Sequence, residues 1–189
     1  MQYFSGATCR YSHHNKEVVP KIPPGGGEGV PRKGTSMDAE RIRAYLLTLP
    51  HAVETMQWGA NLVFWVGDKA IGGKMFALVN LDGDDGLERN KISPVISYAA
   101  GPARYSELLE IEGIIPAPYM ARIYWVAVER WNIFRTTEWE RELSAAHALT
   151  FNKLPPRTRA VLAMPPTHQK RLIADRKKLL AARAAAKTP

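Results

Sequence analysis

Residues 67–75, GDKAIGGKM, nearly spell a phosphate-binding loop. Such a loop needs G-x-x-x-x-G-K-[ST], so that backbone N–H groups cradle phosphate and the hydroxyl holds Mg²⁺. Here the glycine is out of register and Met75 stands where the hydroxyl belongs. The segment also has strand character, so we read Gly72-Gly73 as a glycine bulge or a close backbone approach. Asp82, Asp84 and Asp85 resemble the start of a calcium loop, but the fifth and twelfth ligand positions are Gly86 and Ser93. A solvated hairpin loop is the better reading. Cys9 and His13-His14 have no partner pair at zinc-finger spacing. His51, His147 and His168 are isolated, and His147 lies beside the apolar stripe of its helix. It reads as a hydrogen-bonded core or boundary histidine rather than a base. Glu54 could do acid–base work only if a cleft buried it; it reads as an exposed strand-edge acid. No G-x-S-x-G, H-E-x-x-H or C-x-x-C occurs. We therefore assign no catalytic residue, no metal site and no cofactor, and expect a non-enzyme.

The elements that must carry these residues follow from periodicity and turn chemistry. Residues 1–36 include PKIPPGGGEGVPRKGTS, with no apolar period, and read as a disordered extension. Met37 looks like a natural domain start, which mass spectrometry of the native N-terminus would check. Asp38 is a fair N-cap for a helix in which Ile42, Tyr45, Leu46 and Leu49 share a stripe, ended by Pro50. Strands are expected at Val53–Trp58, Asn61–Val66 and Ala70–Asn80, with turns at Gly59-Ala60 and Gly67-Asp68. A fourth is expected at Val95–Ala99. A helix runs from Pro102 to about Ile111, and Pro116 and Pro118 then impose an extended segment. A fifth strand is expected at Arg122–Glu129. Helices follow at Thr137–Leu154, from Pro155-Pro156 to Leu162, and over Thr167–Ala186. Sequential hairpins favour an α+β fold: an antiparallel sheet of about five strands with helices on one face, plus a basic C-terminal helix. The expected organisation is a tail at 1–36, one α/β domain at 37–164 and a basic helical tail at 165–189.

The chain carries a net charge of +8 and is 46% apolar. The charge is unevenly placed: +3 over residues 1–36, −1 over 37–164 and +6 over 165–189. The globular part is near neutral, which weakens any argument from global charge to a nucleic-acid-binding core. No run approaches the length of a membrane span. A lone cysteine and no apolar signal core fit a reducing cytoplasm. Of the five tryptophans, Trp65, Trp125 and Trp139 have core periodicity, while Trp58 sits at a turn.

Taken in order, several short motifs resemble the MmcQ/YjbR family. They are Leu49-Pro50, Glu54, Trp58-Gly59, Val66-Gly67-Asp68-Lys69 and Lys74-Met75-Phe76-Ala77. Gly113–Tyr119, Trp125–Val128 and Lys153-Leu154-Pro155 continue the series. The resemblance covers roughly residues 37–163. It implies a CyaY-like (frataxin-like) α/β sandwich and a double-wing DNA-binding role, the wings being β-hairpins. The chain departs from the family at Pro94–Ala100, where a basic position is missing, and at Ala146-His147, where Ser-Tyr is usual.

Two functions follow as expectations. In the first, DNA is bound mostly through non-specific phosphate contacts. Lys69 and Lys74 would act from a hairpin wing, Arg122 from the fifth strand, and Lys170, Arg171, Arg176, Lys177 and Lys178 from the tail. In the second, a small ligand or a protein partner occupies a pocket near Trp58, Tyr119, Met120 and the Gly72-Gly73 bulge. Oligomeric state is left open.

Overall fold

The computed structural model describes residues 37–82 and 93–186. The expected disorder of residues 1–36, the Cys9 and His13-His14 group, and Asp84 and Asp85 lie outside the described residues.

The fold is α+β. Six strands form one antiparallel sheet in the order β1-β2-β3-β4-β6-β5. They are β1 Ala52–Gln57, β2 Asn61–Val66, β3 Lys74–Asn80, β4 Ile96–Ala99, β5 Ile114–Pro116 and β6 Trp125–Val128. The helices are α1 Ala39–Thr48, α2 Pro102–Leu109, α3 Thr136–Asn152, α4 Pro156–Leu162 and α5 Pro166–Ala185.

Helix α1 starts where the Asp38 carboxylate accepts from the Arg41 N–H at 2.8 Å. It buries Ile42 and Leu46 completely. Helix α3 buries Trp139, Leu143 and Ala146 in the same core as Phe64, Phe76, Ile96 and Tyr98. Fully burying one such side chain is worth about 1.5–3 kcal/mol, so this helix–sheet layer dominates the stability. The first three helices are tied together. The Tyr45 hydroxyl of α1 donates to the Glu140 carbonyl of α3 at 3.0 Å. Arg104 of α2 donates to the buried Glu142 carboxylate of α3 at 2.9 Å. They therefore cover one face of the sheet, as hairpin order led us to expect.

The structure departs from expectation at several places. The Ala70–Asn80 strand starts only at Lys74, because Lys69–Ile71 forms a 3-10 turn ended by Gly72 in the left-handed region (φ 91). The register irregularity lies opposite Phe64 and Trp65, where Phe76 of β3 is skipped, while Gly73 is instead a close backbone approach to Gly67. The expected Arg122–Glu129 strand is shortened because Ala121–Ile123 is a second 3-10 turn, closed by Tyr124 at φ 61. The extended segment before it supplies the sixth strand, β5, whose Pro116 is tolerated because β5 is an edge strand.

Candidate functional site

The strand registers define two ends of the sheet. Val66 faces Lys74, and Ala99 faces Trp125; these residues mark the upper end. Asn61 faces Asn80, and Ile96 faces Val128, marking the lower end. Among the described residues, the lower connections carry Asp82, Glu110, Glu112 and Glu129, with Arg130 and Arg135 as their basic members. The upper connections carry Lys69, Lys74, Arg122 and Lys153, with Asp68 as their acid. The near-neutral core is thus bipolar. Lys69, Lys74 and Arg122, distant in sequence, share one end.

The β2–β3 connection at the upper end is tightly built. The Asp68 carboxylate accepts from the Ala70 N–H at 2.8 Å, and the Gly73 N–H donates to the Asp68 carbonyl at 3.0 Å. A Cβ on Gly73 would lie 2.0 Å from the Gly67 carbonyl oxygen, so only glycine fits. The buried Thr158 hydroxyl of α4 donates to the Ile71 carbonyl at 2.8 Å. Helix α5 then docks on this turn. Gln169 donates to the Leu162 carbonyl at 2.9 Å and the Met164 carbonyl at 2.6 Å. The Lys177 ammonium pairs with Asp68 at 2.7 Å.

Helix α5 forms a ridge with a groove on either side. One groove, about 510 Å³, is lined by Lys69, Gly72, Arg157, Val161 and Arg176 among others. The other, about 360 Å³, is lined by Val53, Thr55, Trp65, Lys69, Lys177 and Leu180 among others. In it the Lys69 ammonium sits 4.8 Å from the Trp65 ring centre. The same ammonium donates to the Gln57 side-chain oxygen at 3.3 Å. The structure therefore brings together Lys69, Arg176 and Lys177. Arg157 joins them, and sequence reasoning missed it; it sits in a short helix after two prolines with no motif to mark it. Lys170, Arg171 and Lys178 are exposed on α5, which buries no residue. Lys74 is exposed and donates to the Lys153 carbonyl at the end of α3, at 2.6 Å. Arg122 stands apart, in the β5–β6 connection with Tyr119 and Ala121.

The alternative pocket does not assemble. Trp58 is in the β1–β2 turn at the lower end, whereas Gly72-Gly73 and Tyr119 are at the upper end. Tyr119 is also on the far side of the sheet from β1, because β5 and β6 form the opposite edge. Both aromatic rings are largely exposed, and Met120 is half-buried. The physical reason is sheet order: the proline-rich segment gave no sign of which strand it would pair with.

The remaining candidates have settled partners. Glu54 is held by Arg43 through two contacts, at 2.5 and 3.0 Å. His147 is buried; its Nε2–H donates to the Pro50 carbonyl at 2.8 Å, and its ring meets Phe76 edge-on. Burial holds its pKa below the usual imidazole range, opposed by that hydrogen bond. The Asp68–Ala70 turn joins two strands, so it lacks the strand-to-helix geometry of a phosphate-binding loop. Among the described residues, no cluster of three His, Cys, Asp or Glu side chains could hold a metal. No helix there is long and apolar enough to cross a membrane. What the upper end offers chemically is a set of fixed cations beside apolar side chains, an arrangement suited to anions.

A family model described as YjbR matches residues 47–149. Among solved structures, the chain is similar to Deinococcus radiodurans protein DR2400, which carries a DUF419 domain. The two share 23% identity with a TM-score of 0.54, over 67% of this chain and 88% of that one. This likeness concerns the fold. No curated protein matches the chain.

Proposed function

Because the chain belongs to the YjbR family, and because its cations converge on one end of the sheet, we propose that it is a DNA-binding module rather than an enzyme. The contacts are mostly to phosphates and come from the β2–β3 hairpin and α5. One observation carries this reading: Lys69, Lys74 and Arg122 occupy the same end of the sheet as α5, whose sequence holds six basic residues against Asp175. Clustered cations on a fixed frame neutralise neighbouring phosphates and release their counterions. The Asp68–Lys177 pair joins a mostly buried carboxylate to an exposed ammonium and orients α5. A reducing compartment suits the unpaired Cys9, and DNA is the partner this reading names.

The test is duplex binding by fluorescence anisotropy across a salt series. With ~3–5 phosphates engaged by the tail, log K falls against log salt with a slope of about −3 to −4.5. Removing residues 165–189 flattens that slope and weakens binding at least about a hundredfold. An unchanged slope after removal would place the contacts elsewhere. Absence of binding at low salt would end the DNA reading.

A further inference from the structure

The β5–β6 connection is unlike the rest of the upper end. Residues 116–124 read PAPYMARIY, and Arg122 carries the segment's charge. Tyr119 is fully exposed, Ile123 is largely exposed and Tyr124 is about half-exposed. Arg122 makes no ion pair among the described residues. Tyr119 and Tyr124 both hold left-handed backbone, at φ 63 and 61. That conformation is costly for a bulky side chain, and nothing packs on Tyr119 to offset it.

Even so, the loop is rigidly held. The Ala117 N–H donates to the Trp125 carbonyl at 3.0 Å, and Ala117 is buried. The Met120 and Ile123 N–H groups donate to Ala117 and Met120, both at 3.1 Å. The Gly101 N–H donates to the Tyr124 carbonyl at 3.0 Å. The Tyr124 ring stands edge-on to Tyr105, with centroids 5.6 Å apart. The aromatic groups are therefore presented to solvent on a fixed frame.

We propose that this loop is a stacking platform for unpaired nucleobases, so that the protein prefers single-stranded nucleic acid to duplex. This rests on the reading of the upper end as the nucleic-acid-binding end. Three observations support it. Exposed tyrosines beside an unpaired arginine are the groups that bind base faces and the adjacent phosphate. Duplex bases hide those faces in the stack, whereas a single strand offers them. The platform also shares the upper end of the sheet with Lys74, at the start of β3. Strands β3 and β6 have only β4 between them, a distance of about 10 Å. A strand whose phosphates pass Lys74 thus reaches the loop that carries Tyr119. A folded protein partner fits less well, since a stable interface takes roughly 20–30 residues a side and the apolar tip offers three.

The experiment measures anisotropy of labelled oligo(dT) and of a duplex of equal length, with full-length protein at low and physiological salt. The variants are Tyr119→Ala and Tyr119→Trp. The wild type binds oligo(dT) more tightly than duplex. Tyr119→Ala weakens oligo(dT) binding about tenfold, leaves duplex binding within about twofold, and leaves the salt slope unchanged, because stacking releases no counterions. Tyr119→Trp restores or strengthens binding. If the wild type binds both polymers and Tyr119→Ala leaves their ratio unchanged, the platform is refuted while the cationic end stands. If the wild type binds neither polymer, both readings fall. Capture of a protein partner lost in Tyr119→Ala, with oligo(dT) binding intact, would reassign the loop to protein recognition and overturn the proposal.

Discussion

At the lower end of the sheet, the Trp58-Gly59 turn projects into solvent, and a Cβ on Gly59 would meet nothing within 4 Å. At the upper end, a Cβ on Gly73 would strike the Gly67 carbonyl, and one on Gly72 would lie 2.9 Å from the Thr158 hydroxyl. Both turns link neighbouring antiparallel strands, yet only the upper one is braced by two further helices. The charge differs in the same sense, acidic below and basic above. Fixing like charges close together costs energy, and bracing is what makes a cluster such as Lys69, Arg157 and Arg176 tolerable. A rigid basic end opposite a plain acidic end is what a module presenting one face to a polyanion requires.

The comparison can be broken at its glycines. Gly73→Ala must displace backbone, and we expect a loss of about 3 kcal/mol in stability, at the upper end of what overpacking costs, read as a lower thermal midpoint. Gly59→Ala carries only the cost of its left-handed conformation (φ 82), on the order of 1 kcal/mol. Equal effects from the two would mean that the upper turn is not braced as described.

Single cations sharpen the contrast. Lys69→Ala, Arg157→Ala or Arg176→Ala each removes about one unit of salt slope or less from duplex binding. Arg130→Ala and Arg135→Ala, at the lower end, leave it unchanged. A lower-end variant that flattened the slope would show that the charge division does not govern binding.

The smallest effect concerns pH. His147 joins α3 to the corner between α1 and β1 through the Pro50 carbonyl. Its folded pKa lies below the unfolded value, so at acid pH the unfolded chain binds the extra proton. Its contribution is complete above the unfolded value of about 6.5 and declines as pH falls from there toward the lower folded value. His147→Gln should remove that part of the pH dependence of chemical unfolding. A wild-type profile that is flat across this window would contradict the assignment.

Much of the frame was legible in the sequence, because turn chemistry and alternation are local. Strand β2 matched its expected bounds, Asn61–Val66, and Pro156 opened α4 as the paired prolines implied. Strand β5 was missed because it has three residues and ends in proline, so it shows no alternation. Arg122–Tyr124 reads as strand because Ile, Tyr, Trp and Val alternate in type through a segment that Tyr124 turns out of the strand. The polarity of the domain was invisible for a different reason. Summed along the chain its charges cancel, and only strand order shows that Lys74 and Arg122 share an end while Glu112 and Glu129 share the other. Arg157 could be found only once Thr158 fixed α4 against the β2–β3 turn.

Nucleic acid is expected at one end of the sheet, so the most direct measurement reports where it binds. Backbone amide signals of the isotope-labelled protein should be followed by NMR during titration with an oligonucleotide. Perturbations are expected at Lys69–Gly73, Tyr119–Tyr124 and along α5, with Trp58–Ala60, Glu110–Gly113 and Glu129–Ile133 unmoved. Perturbations concentrated at the lower end, or spread evenly over both, would contradict that placement.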